Sequence, residues 1–295
     1  MALAAAVSLP AEMKADAGPR ALAQQKMESV YAYLPKIRPH LPTLVASFSS
    51  FTLLQFVLVP LFGSLFFGDA WRKMSPRAKN NWAVHICSQA HAIVIIPLAW
   101  RVLDLPELNN DRAFGWHEAS GSVQAVAAGY FMWDSLDAIV HFDNIGFVLH
   151  GLTCGAIYIL SFTPYLSYYA ARFLMWELST LFLNVHWALD KTNRTGGSLQ
   201  LINGVLLLVT FFAVRLVAGG YWSYQFYETL FQSLDKAPFA AILAPGIGNL
   251  ILQGLNWFWF TKMIAALQKR FAGGSKKEKQ LNGTAINGNG KHKED

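Results

Sequence analysis

The chain has 295 residues, of which 54% are apolar and only 14% charged, with a formal net charge of +6. Soluble domains carry about 25% charged residues, and here the charges gather in a few loops and at the ends, which excludes a soluble globular enzyme. The positive excess comes largely from residues 72–79 and from the stretch that starts at Lys269. That is a juxtamembrane pattern and no nucleic-acid footprint, so no nucleic-acid partner is expected.

In chain order, residues 1–42 read as a polar N-terminal segment. Its short apolar opening has no basic residues before it, which argues against a cleaved secretory signal, and Asp16 and Glu28 argue against a transit peptide. A spanning helix needs about 20 mostly apolar residues. That rule marks seven stretches, roughly 43–68, 82–102, 121–141, 144–163, 165–188, 198–222 and 238–266. The fold class is therefore all-α, a polytopic transmembrane bundle of about seven spans. Pro60, Pro97 and Pro245 fall inside these stretches and are expected to kink them. The run Pro245-Gly246-Ile247-Gly248 makes the last span the expected broken helix. Cys87 and Cys154 lie within spans, so each reads as a small buried apolar residue and no disulfide framework is expected. Residues 271–295 are polar and rich in glycine and lysine, the composition of a disordered basic tail.

The loop after the first span holds Arg72, Lys73, Arg77 and Lys79, whereas the next loop sets Asp104, Glu107, Asp111 and Glu118 against Arg101 and Arg112. The positive-inside rule then puts the N-terminus in the lumen and the C-terminus in the cytosol. Lys14, Arg20, Lys26, Lys36 and Arg38 dissent, diluted by Asp16 and Glu28. The sequons at Asn193 and Asn282 would face the cytosol. Lys291 and Lys293 in the final residues match K-x-K-x-x, which resembles a dilysine retrieval signal.

An ionisable group at the centre of a spanning helix costs roughly 2.5–3.5 kcal/mol, so such groups face the bundle interior and mark candidate sites. Asp134, Asp137 and His141 fall at i, i+3 and i+7. Glu177, Thr180 and Asn184 repeat that spacing, and Asn249, Gln253 and Asn256 come close to it. His150 and Thr153 open the fourth span, and His85, Ser88 and His91 lie in the second. Under the positive-inside orientation these groups share the cytosolic half, which predicts a cytosol-facing cavity. Arg215 is the exception. It differs in depth from Glu177 by only about 6 Å, so a Glu177–Arg215 ion pair is expected, direct or through one water, serving the site or merely helix register. Asn249, Gln253 and Asn256 read more readily as interhelical hydrogen-bond glue, and His85 and His91 as packing residues. Asp134, Asp137 and His150 are the candidate catalytic groups, because two acids and an imidazole occupy neighbouring antiparallel spans. No tight ligand motif such as H-x-x-x-H supports a metal, and no cofactor is expected.

Several ordered motifs are similar to those of the TLC-domain family. Gly129-Tyr130-Phe131-Met132-Trp133-Asp134 resembles its "GYflwD" signature. Leu149-His150-Gly151-Leu152-Thr153, then Glu177-Leu178-Ser179-Thr180-Leu181-Phe182-Leu183-Asn184, and Asn203-Gly204 with Phe211, Phe212 and Arg215 extend the likeness over roughly residues 80–270. The resemblance implies a bundle of six or more helices in the endoplasmic reticulum that handles sphingolipid or acyl-chain chemistry. It is shared by ceramide synthases, translocon-associated proteins and lipid-homeostasis proteins. The synthases of the family carry H-H-x-x-T and H-D-x-x-D. Here Leu149 stands before His150, and Glu177 is followed by Thr180. N-acyl transfer needs a base for the sphingoid amine or a nucleophile for the acyl group, and one imidazole and one carboxylate are absent. The resemblance therefore favours the non-synthase branch. Its implied partners are membrane lipids, with sphingolipid and acyl-coenzyme A as candidates, and the oligomeric state stays open. The polar pocket expected from spacing and depth comprises Asp134, Asp137, His150, Thr153, Glu177, Thr180, Asn184, Arg215 and Gln253. Two alternatives remain: an N-acyltransferase with His150 as base, oriented by Asp134 or Asp137, and a translocon-associated accessory protein.

Overall fold

The computed structural model describes residues 19–287, with side chains placed from 24 to 269. Among these residues every regular element is helical. α1 (Pro19–Tyr33) leads into α2 (Arg38–Arg72), which is interrupted by a π-helical turn at Leu54–Leu58. α3 (Pro76–Trp100), the short α4 (Pro106–Asn110), α5 (Glu118–Val140) and α6 (Ile145–Leu160) follow. α7 (Ser167–Leu174) passes through a 3-10 turn, Met175–Glu177, into α8 (Leu178–Lys191). α9 (Ser198–Gln232) carries a second π turn at Phe212–Ala218, and α10 is Phe239–Asn287. The dilysine-like pair Lys291 and Lys293 lies outside the described residues.

The seven apolar stretches correspond to α2, α3, α5, α6, the α7–α8 pair, α9 and α10. α2, α3, α9 and the part of α10 from Phe239 to Lys269 are long and apolar enough to cross a membrane. α6 is shorter, at 16 residues. α5 sits at the centre, packed on α2, α3 and α6, and its small residues permit close approach. A methyl group on Gly129 would meet Ser47 Cβ at 2.7 Å. The Ser47 hydroxyl donates to the Val126 carbonyl at 2.7 Å across the same seam. Small residues and such short polar bridges hold helices together where lipid supplies no hydrophobic drive. The ends are fixed locally: Ser75 caps α3 by accepting from the Ala78 N–H, and Asn144 caps α6 by accepting from Gly146 at 2.7 Å.

Pro245 does not break the last helix, which stays continuous from Phe239. Its position in the second turn limits the loss to one backbone bond near an end whose first N–H groups are unpaired anyway. The kink lies instead within α2, at Gly68 (φ 49°), and Met175–Glu177 is a 3-10 turn in an otherwise continuous run.

The connections at 73–75, 141–144 and 192–197 lie at one end of the bundle, and those at 34–37, 101–117, 161–166 and 233–238 lie at the other. At the first end, Arg77 of the basic loop pairs with Asp143.

Candidate functional site

The second π turn makes the site possible. An extra residue in a helical turn swings one side chain out of the regular register, and at Phe212–Ala218 the buried group is Arg215. Its Nε donates to Ser179 Oγ (2.8 Å), Nη1 to Asn256 Oδ1 (3.1 Å) and Nη2 to Thr180 Oγ1 (3.3 Å). The 3-10 turn at Met175–Glu177 is the counterpart on the facing helix. Ser179 and Thr180 present hydroxyls to the guanidinium, and Glu177, one turn earlier, lines the adjoining cavity. The direct Glu177–Arg215 ion pair expected from depth alone therefore does not form. Ser179, Thr180 and Asn256 take those three donors, while Arg215 and Glu177 both border the same space.

That space is a cavity of about 980 Å³, its open mouth included. His150, Cys154, Glu177, Arg215 and Asn249 cluster at its inner end. Aromatic and aliphatic side chains, among them Phe131, Ile157, Tyr158, Tyr169, Phe173 and Phe226, form the rest of its wall. It extends past Leu160 and Tyr165 to Tyr33, which is exposed and marks the mouth. A cavity was expected beside the basic loops: a pocket lined by Gln55, Lys79, Asn80 and His141 does open there, while the apolar cavity bordered by Glu177 and Arg215 occupies the opposite half of the bundle. The polar residues near the basic end are engaged with one another, and the apolar cavity is bordered by α6, α7, α9 and α10.

The sequence-predicted residues divide accordingly. His150, Glu177 and Arg215 line the cavity, and Thr180 supports Arg215. Asp137 does not join His150: its carboxylate accepts from Gln55 Nε2, from Asn80 Nδ2 (3.3 Å) and from His141 Nδ1 (2.9 Å). Asp134 lies between them, half-buried, with Oδ2 against the α6 backbone at Gly151. Asn184 turns to α3, where His85 Nδ1 donates to its Oδ1 (2.8 Å) and its Nδ2 donates to Ser88 (3.2 Å). Thr153 packs on Gly248, and Gln253 donates to Ser223 at 2.9 Å. His91 is a packing residue, stacked on Tyr130 with centroids 3.7 Å apart.

Two groups escaped the sequence reading. Gln55, in the first π turn, binds α2 to α3 and α5: its Oε1 accepts from Trp133 Nε1 at 2.8 Å, and its Nε2 donates to Asn80 at 2.8 Å and to Asp137. A lone amide inside an apolar stretch was the available signal. The aromatic sleeve around Tyr158, Tyr169 and Phe226 carried none, because aromatic residues recur throughout every span.

Fold and cavity together define a helical membrane protein with an amphipathic internal pocket. Residues 81–265 match the TLC domain, and the chain belongs to that family. It is 37% identical over 254 residues to a TLC domain-containing protein of Schizosaccharomyces pombe, covering 85% of this chain and 87% of the relative. It is 29% identical over 242 residues to topoisomerase I damage affected protein 4 of Saccharomyces cerevisiae, with coverage of 79% and 86%. It is 25% identical over 228 residues to TLC domain-containing protein 4 of Homo sapiens, with coverage of 74% and 85%. These relatives set it among the TLC domain-containing proteins and apart from the ceramide synthases.

Proposed function

We propose that the protein binds lipid in this cavity, within the endoplasmic reticulum membrane, and thereby influences membrane lipid composition. The observation that carries the reading is the cavity itself, an apolar sleeve closed by one polar cluster. Ligand sites are concave, mostly apolar and furnished with a few convergent polar groups. Purified protein should release a bound lipid on extraction, read by mass spectrometry. Ala241→Trp, which narrows the sleeve near Pro245, should deplete it while helicity is retained. A folded wild-type protein that carries no lipid from its host membrane would remove the reading.

The basic loops support a cytosolic C-terminus, and the dilysine-like pair supports residence in the endoplasmic reticulum. In that orientation the cavity lies in the luminal half. Acyl-coenzyme A arrives from the cytosol, so it would have to cross the packed half of the bundle to reach His150. Asp137, committed to Gln55 and His141, cannot orient that imidazole. Both points weigh against the acyltransferase alternative. Glycan attached at Asn193 in a eukaryotic host would reverse the orientation. Replacing Lys291 and Lys293 with serine should let the protein leak to later compartments.

A further inference from the structure

We infer that the cavity takes a single-chain amphiphile with an uncharged head that both donates and accepts hydrogen bonds, held head-inward at His150, Glu177, Arg215 and Asn249. This rests on the lipid-binding reading and adds the head chemistry, the chain number and the direction of entry.

The direction follows from where polarity lies. Every charged group on the cavity wall is at the inner end, and the wall from Ile157 to Tyr33 is apolar or aromatic except at Ser161 and Thr163, whose hydroxyls are spent on the Tyr158 and Leu160 carbonyls. From His150 to Leu160 the wall runs ten residues of α6, about 15 Å, which suits an extended hydrocarbon chain. One polar cluster at the end of one apolar wall provides for one head and one chain.

The head chemistry follows from Asn249. α10 presents three buried or half-buried amides to the bundle: Gln253 donates to Ser223, and Asn256 Oδ1 accepts from Arg215 while its Nδ2 has no partner. Asn249 is 4% exposed, its Oδ1 has no partner, and it is the amide that lines the cavity. A buried amide left open is costly, and a ligand hydroxyl or amide would complete it. The remaining selectivity is electrostatic. Glu177 and Arg215 bring one charge of each sign to the same inner end. An anionic head would add a second negative charge beside Glu177, and a cationic head a second positive charge beside Arg215. Burying an unbalanced charge is far more expensive than burying a hydrogen-bonded neutral group.

The test uses the full chain in detergent micelles and three ligands that share an oleyl chain: monoolein (neutral diol head), oleate (anion) and oleylamine (cation). Native mass spectrometry at neutral pH follows each titration. Monoolein should bind at least about tenfold more tightly than either charged ligand, and Asn249→Leu should weaken it about tenfold. Asn249→Ser, which keeps a hydroxyl, should retain most of the affinity. The ranking on the unmodified protein stands even if Asn249→Leu fails to fold. Oleate or oleylamine binding as tightly as monoolein, or a folded Asn249→Leu that binds monoolein unchanged, overturns the inference and leaves the lipid-binding reading intact. Absence of binding by all three chains also overturns the inference, and the lipid extracted from purified protein then decides the lipid-binding reading separately.

Discussion

The two π turns of this bundle each bury one polar side chain, and they use it in opposite ways. Gln55 spends both ends of its amide on protein: Trp133 donates to it, and it donates to Asn80 and Asp137. The result joins the first span, which lies outside the matched TLC domain, to the domain's own α3 and α5. Arg215 is held by three neutral oxygens and borders a void shared with Glu177, His150 and the unpartnered Asn249. A polar cluster whose amide is spent on protein at both ends is architecture, even with a pocket beside it. An unsaturated one at the closed end of an apolar sleeve is a site.

The sharpest way to break this contrast is to remove the charge at the open site. Arg215→Met removes the guanidinium that Ser179, Thr180 and Asn256 hold and leaves Glu177 buried with no cation near it; stranding buried polar groups costs about 1–3 kcal/mol each. A large fall in unfolding temperature is expected in detergent. Adding Glu177→Gln should restore much of it, since the double variant no longer buries a lone charge. A fall as large in the double variant would mean that packing, not charge balance, fixes Arg215. At the saturated site, Gln55→Leu strands the Trp133 indole N–H and one Asn80 oxygen, for a loss of about 1–3 kcal/mol with lipid content unchanged. Gly151→Ala tests the seam between the two sites, where the new methyl would meet Asp134 Oδ2 and Ser135 Oγ at 3.0 Å. Overpacking there should cost about 1–3 kcal/mol.

Catalysis separates the sites in another way. Purified protein supplied with sphingoid base and acyl-coenzyme A should form no amide above background. A general base at His150 would reveal itself as turnover lost by about 10²–10⁴-fold in His150→Asn.

The smallest expected effect lies outside both sites. Glu118, at the start of α5 and 61% exposed, accepts from Trp116 Nε1 and from His40, each at 2.9 Å. The Trp116 hydrogen bond chiefly holds its carboxyl below the usual range, opposed by slight burial and reinforced by His40 and Lys36. A depressed carboxylate stabilises the fold above its unfolded value of about 4.3, and that contribution disappears as pH falls through the lower folded value. Glu118→Gln should flatten the acid limb of stability against pH slightly. An unchanged limb would show that the pair contributes nothing measurable.

Much of this was legible in the sequence, and the failures are physical ones. Hydropathy located the seven apolar stretches because the bilayer requires long runs of such residues. His150, Glu177 and Arg215 were legible as bundle-facing because ionisable groups are too costly towards lipid. Their partners were not. Asp134 and Asp137 are three residues apart, so they diverge by about 60° around the helix. That is enough for one to meet α6 and the other to meet α2 and α3. The π turns at Leu54–Leu58 and Phe212–Ala218 and the 3-10 turn before Leu178 shift the register of the facing side chains, and no residue pattern announced them. Depth therefore placed Glu177 and Arg215 at one cavity, as observed, but of the pair expected directly or through one water the direct form is replaced by hydroxyls of the next turn. Residue depth also did not separate the pocket beside Gln55 and His141 from the apolar cavity at His150, Glu177 and Arg215 in the opposite half.

The most direct test compares co-purified lipid in two variants matched for folded yield, Ala241→Trp in the sleeve and Gln55→Leu in the saturated cluster. Quantitative mass spectrometry of extracts from the folded fraction should show lipid depleted in Ala241→Trp and at the unmodified level in Gln55→Leu. Undiminished lipid in folded Ala241→Trp, or depletion confined to Gln55→Leu, would contradict the assignment of the cavity as the site.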